Sequence, residues 1–173
     1  MPNLDQDRKF LAAGVQVLSD YLLSKEIFYP LGADLPRLTL GNLLLAQRRS
    51  TAAGSELYIN EIAAIREKWQ VAWRQKASRE IHTRLELWRN FLSEYRSSAL
   101  ANADRFSVEV RHRAILQLLS IDATSASELD QLPGLDSMLK GSFSTGEFVW
   151  EKQVSKGFDP IEFWFLYGKL KSK

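Results

Sequence analysis

The sequence predicts an all-α protein: an antiparallel bundle of five to seven helices, built around one long central helix at about 55–101 and closed by an aromatic C-terminal helix. Three observations carry this expectation. No glycine or proline occurs between Ser55 and Ala101, so nothing in that stretch breaks a helix by composition. One apolar stripe runs along it through Tyr58, Ile62, Ile65, Trp69, Trp73, Ala77, Ile81, Leu85, Trp88, Leu92, Tyr95 and Ala99. Its steps are three or four residues, averaging about 3.7, close to the α-helical period. Strand signals are weak, since no Asn-Gly or Asp-Gly hairpin turn is present and valine and isoleucine are sparse.

The elements follow in order. A first helix is expected from about Leu4 to Tyr29, with Phe10, Leu11, Val15, Leu18, Leu22 and Leu23 at helical spacing and Pro30 and Gly32 as its stop. A second runs from about Pro36 to Ala53, with Leu40, Leu43, Leu44 and Gln47 as its inner face and Gly54 at its end. Ser55 suits the N-cap of the third, and Glu56 suits its first turn. Within it, Glu80 and Arg84 have the favourable i,i+4 order of a helix-surface ion pair.

A single helix over 55–101 would be about 70 Å long at 1.5 Å per residue. A 173-residue domain should be only about 40 Å across. Either the helix breaks near Lys76–Arg79, where the stripe is thinnest, or it overhangs the domain and buries the stripe against a second copy of the chain.

A fourth helix is expected from about Ser107 to Ile121. Ser125-x-x-Glu128 has the form of a capping box and starts a short helix that ends near Pro133-Gly134. A further turn or two covers Leu135 to Lys140, and a short helix is read around Glu147 to Lys156. Asp159-Pro160-Ile161-Glu162 looks like a helix start, with a cap followed by proline at the first position. Phe163-Trp164-Phe165-Leu166-Tyr167 is then apolar on every side, as in a helix buried all round. The expectation is a plug docked into the bundle, with a sticky partner surface as the alternative. The whole chain, 1–173, is read as one helical domain, with the bundle over about 4–121 and a C-terminal helical extension over about 125–170.

Composition narrows the chemistry. The absence of cysteine excludes disulfides, thiolate catalysis and cysteine-ligated metals. The charged N-terminus lacks the apolar core of a signal peptide, and no apolar run is long enough to cross a bilayer. A cytoplasmic protein without membrane association is expected. The net charge of +2 is uneven: residues 66–113 hold eleven Lys/Arg against six Asp/Glu, and both flanks are slightly acidic. A basic middle section is consistent with an anion-binding face or with solvated helix surfaces.

The only histidines are His82 and His112. Glu109-x-x-His112 has the spacing of one half of a carboxylate-bridged di-metal site, but Arg79 occupies the matching position before His82. No metal or other cofactor is therefore expected. No G-x-S-x-G, Walker loop or G-x-G-x-x-G occurs. Arg105 and His112 are separated by six residues. This R-x6-H spacing resembles the catalytic spacing of the HEPN-type helical RNases, in which an arginine and a histidine near a helix start line a dimer cleft. The resemblance spans eight residues, and Phe106 stands where those proteins usually carry a polar side chain. It implies His112 as a base toward a ribose hydroxyl, with Arg105 or Arg111 offsetting phosphate charge.

The functional expectation from sequence is a non-catalytic helical binding or scaffolding module that self-associates or binds another protein. Arg74, Arg79, Arg84, Trp150, Trp164 and Tyr167 are its candidate binding residues. The alternative is an RNA-binding or HEPN-like RNA-cleaving protein that uses the basic section 66–113, with Arg105 and His112 as catalytic candidates.

Overall fold

A computed structural model of the chain describes residues 3–123 and 127–173. It is mostly helical, with a small two-stranded sheet. The helices are α1 (Leu4–Leu23), α2 (Leu40–Ala52), α3 (Ile59–Lys68), α4 (Gln70–Ser97), α5 (Ala99–Asn102), α6 (Phe106–Leu119) and α7 (Leu132–Ser142). The strands β1 (Phe143–Phe148) and β2 (Tyr167–Leu170) pair antiparallel near the C-terminus. No helix among the described residues is long and apolar enough to cross a membrane.

α1 begins with a capping box. The Asn3 side chain accepts the Gln6 backbone N–H at 2.9 Å, and the Gln6 side chain accepts the Asn3 N–H at 3.2 Å. α1 stops at Leu23, six residues short of the expected end. There the buried Lys76 ammonium donates to the Ser24 carbonyl at 2.8 Å and to the Glu26 carbonyl, placing a cation at the negative end of α1. Thr39 caps α2 by accepting the Asn42 N–H at 3.0 Å.

The single helix over 55–101 is replaced by three. The start moves from Ser55 to Ile59, behind Tyr58 at φ 57°. The break falls at Trp69, with φ −117° and ψ 39°, and not at Lys76–Arg79. Neither position contains the glycine or proline that would mark it in the sequence. What remains of the long helix is α4, 28 residues, or about 42 Å at 1.5 Å per residue, which fits the expected width of the domain. The overhang therefore disappears. Trp73 and Trp88 are buried within one chain, as are Ala77, Ile81, Leu85, Leu92 and Tyr95, while Trp69 is half-buried at the α3–α4 corner. The stripe is satisfied by α6, α2 and α1 packing along α4.

The C-terminal segment is not an α-helix. The expected helix at 147–156 is a 3-10 turn at Lys152–Gly157, and the expected aromatic helix is a 3-10 turn at Trp164–Leu166 leading into β2. Asp159 does form its cap, accepting the backbone N–H groups of Ile161 at 2.9 Å and Glu162 at 3.1 Å, but the turn does not propagate. The rings explain why. Phe158, Phe163 and Phe165 are fully buried and meet edge-on at 5.2 and 6.0 Å, and Trp164 packs against Phe143 of β1 at 5.5 Å. Each ring has its own apolar neighbour, so a segment that is apolar all round need not be helical. The register pairs Phe143 with Leu170 and Thr145 with Gly168, and shifts before Phe148–Tyr167. A Cβ at 168 would overlap the Ser144 carbonyl oxygen and lie 2.5 Å from the Phe143 ring, so only glycine lets β2 come this close. The capping box read at Ser125–Glu128 begins outside the described residues. One buried apolar cluster joins α1 to β2.

Candidate functional site

Two of the places where polar groups gather among the described residues are candidate sites. One is internal. Glu80 and Arg84 lie on the edge of α4 that also carries Trp73 and Phe91, all within about 40° of one another at 100° per residue. That edge faces the start of α2, so the pair is buried, not exposed: Glu80 is 0% and Arg84 2% accessible. The Arg84 guanidinium donates to Glu80 Oε1 from Nε at 3.0 Å, to Thr39 Oγ1 at 3.2 Å and to Asn42 Oδ1 at 3.1 Å. The other Glu80 oxygen accepts the Gly41 backbone N–H at 2.9 Å, in the first turn of α2.

His112 completes this cluster. Its Nδ1 lies 3.1 Å from Arg84 NH1 and, because a guanidinium can only donate, Nδ1 accepts. The proton of the neutral ring is then on Nε2, 3.6 Å from Glu109 Oε2. Burial first, and then the neighbouring Arg84 and Arg111 charges, push the His112 pKa down to about 3. Arg105 meets the same Glu109 from outside, at 3.0 Å, and is also paired with Glu94 at 2.5 Å. Glu109 thus bridges the two residues of the R-x6-H pair, with Arg105 exposed on a surface and His112 inside. The ring is held neutral and away from solvent, a poor arrangement for a general base. His82 is on the surface beside Glu86 and Glu128. Among the described residues no three His, Asp or Glu side chains converge as metal ligands.

The second place is an open groove. Two adjoining hollows of about 470 and 720 Å³ share Leu44, Gln47, Ile59, Arg66 and Asp122. α2 and α3 form the walls. The start of α4 contributes Trp73 and Arg74, the end of α6 contributes Leu118, and the 3-10 turn at Lys152–Gly157 contributes Lys156. Its floor is fixed by Asp122, which accepts the Trp73 indole N–H at 3.0 Å and pairs with Arg66, whose guanidinium lies over the Trp73 ring at 5.2 Å. At the far end Arg48 donates to the Gly157 carbonyl at 2.6 Å and covers the Phe163 ring at 4.8 Å. Four basic side chains, Arg48, Arg66, Arg74 and Lys156, face two acidic ones, Glu67 and Asp122. Arg74 and Lys156 are exposed and have no ion pair among the described residues. Ile121, 66% accessible, stands on the rim.

Of the candidate binding and catalytic residues named from sequence, only Arg74 lines this groove. Arg79 is exposed and donates to the Lys25 carbonyl at 3.0 Å. Arg84 is in the internal cluster. The Trp150 indole donates to the Ser107 carbonyl at 2.9 Å. The Tyr167 hydroxyl donates to the Phe158 carbonyl at 2.6 Å, and the half-buried Trp164 lies under the Lys140 ammonium. Sequence reasoning missed the groove because its walls come from segments far apart in the chain. One local signal was present: Ile59, Ala63 and Arg66 recur at helical spacing beside, and not on, the main apolar stripe. Comparison with known protein families, curated proteins and solved structures finds no match for this chain.

Proposed function

We propose that this protein is a non-catalytic binding module that takes an acidic, apolar-anchored segment of another protein into the groove between α2, α3 and the end of α6. The observation that carries the reading is the groove itself: Leu44, Ile59 and Leu118 give its lining an apolar part, bordered by a cationic excess that includes Arg74 and Lys156. Apolar contact supplies affinity, and the unpaired cations select against basic competitors. The stripe of α4 is occupied internally, which removes the reason to expect self-pairing through it. The buried, neutral His112 supports a role other than acid–base chemistry.

The test is selection from a random peptide display library on the intact chain. Binders should carry Asp or Glu flanking Leu, Ile or Phe, and the double variant Arg74→Glu, Lys156→Glu should weaken them about tenfold or more. Binders that ignore the double variant, or a chain that selects nothing but binds single-stranded RNA with a steep salt dependence, would contradict the proposal.

A further inference from the structure

The opposite flank of α2 holds a second feature, independent of the groove. A small cavity of about 30 Å³ lies between α1, α2 and α6, lined by Asp7, Phe10, Asn42, Leu45, Arg49 and Arg111 among others. Its two guanidiniums differ. Arg49 is fully buried and balanced, with Nε 2.8 Å from Asp7 Oδ2 and NH2 3.0 Å from Glu151 Oε2. Arg111 is half-buried, its Nε is shielded from solvent, and it makes no hydrogen bond or ion pair among the described residues. Asp7, in the same lining, is paired with Arg49, and Glu109 is paired with Arg105 although it still attracts the Arg111 charge.

Burial first, and then the Arg84 charge, hold the Arg111 pKa below its ordinary value, and the Glu109 charge only partly offsets them. A guanidinium does not escape by deprotonating. The shielded Nε is a buried polar atom without a partner among the described residues, which points to an ion or water not supplied by the chain. The cavity has room for about two or three water-sized atoms, since one water needs roughly 10–15 Å³. That suits a halide and is too small for a phosphate ester. The Asp7 carboxylate in the same lining disfavours a second negative charge.

We propose that this cavity binds one small monovalent anion of chloride size, held by the Arg111 guanidinium between α1, α2 and α6. The probe is chloride, followed by the ³⁵Cl NMR line width with the full chain in a background of a large, non-competing anion. Wild-type protein should give excess broadening that titrates to saturation and is displaced by bromide. Arg111→Met, which keeps the aliphatic stem, should reduce that broadening at least fivefold. Arg96→Met, at the exposed end of α4, should leave it within about a third of wild type. Arg111→Gln provides a second uncharged variant if the first does not fold. An absence of saturable broadening in wild type, or broadening that survives in a folded uncharged variant, overturns the site. Neither result bears on the groove, whose peptide selection reads different residues.

Discussion

Glu80 reaches out of the middle of α4 to accept the backbone N–H of Gly41 at 2.9 Å, so that a buried carboxylate caps the first turn of α2. Its other oxygen is held by Arg84, which in turn donates to Thr39, Asn42 and His112. The junction ties α2, α4 and α6 together at one point. A buried ion pair of this kind contributes little net stability against an apolar substitute, but removing one partner leaves the other charged and desolvated. Glu80→Leu and Arg84→Met should each cost about 3–5 kcal/mol. The double variant Glu80→Leu, Arg84→Met should cost less than the sum of the single changes. Urea denaturation of the full cycle measures this, and strict additivity would show that the two residues are not coupled.

Gly41 is there because of contact, not flexibility. A Cβ at this position would overlap Ile115 Cγ2 and lie 2.5 Å from Glu80 Oε1. Gly→Ala in an exposed helix interior gains about 1 kcal/mol. Here it should instead destabilise by about 1–3 kcal/mol through overpacking. Gly134→Ala, in α7 with open space around the new Cβ, serves as the control and should be neutral or stabilising by about 0.4–1 kcal/mol. Opposite signs in thermal melts of the two variants are the expected outcome.

His112 makes the fold acid-sensitive. Its folded pKa, near 3, lies below the ordinary histidine value of 6.5, so between these values the unfolded chain binds the extra proton. Stability contributed by the neutral ring is present above pH 6.5 and is lost as pH falls toward 3. At pH 5 the loss amounts to about 2 kcal/mol on this linkage. His112→Gln should lower stability at pH 7.5 but flatten the decline between pH 6.5 and 5. Urea midpoints at the two pH values check this, and a decline of equal slope in the variant would assign the acid sensitivity to another group.

The aromatic C-terminus ranks its own residues. Phe163 is fully buried, packs against Phe158 and Phe165 and lies under Arg48, whereas Trp164 is half-buried beneath Lys140. Phe163→Ala should cost about 3–5 kcal/mol and Trp164→Ala less, reversing the order that ring size alone suggests. Differential scanning calorimetry of the two variants gives the ranking directly.

The parts legible in the sequence are those where periodicity and burial coincide. The stripe from Trp73 through Ile81, Trp88 and Tyr95 needed no tertiary information, because each step fits an α-helical face that is buried along α4. The break at Trp69 was not legible, since no glycine or proline announces it. Glu80 and Arg84 misled in another way. Their i,i+4 order is the same whether a pair faces water or the core, and only the apolar Trp73 and Phe91 on the same edge hinted at burial. At 163–167 uninterrupted apolarity was read as a helix, although it arises from rings each facing a different neighbour. The groove and the Arg111 cavity both depend on contacts across the chain, which residue spacing does not encode.

α4 and α6, joined through Arg84 and His112, make up the buried centre of the fold, and one molecule is expected to complete it. Native-state amide hydrogen exchange at several protein concentrations tests it most directly. The amides of Ile81, Leu85 and Trp88 on α4, and of Val110 and Ile115 on α6, should be the last to exchange. Their protection should match the global unfolding free energy and stay constant from micromolar to millimolar protein. Protection of α4 that rises with concentration, or that falls below that of the terminal strands, would show that its apolar face is completed by a second molecule.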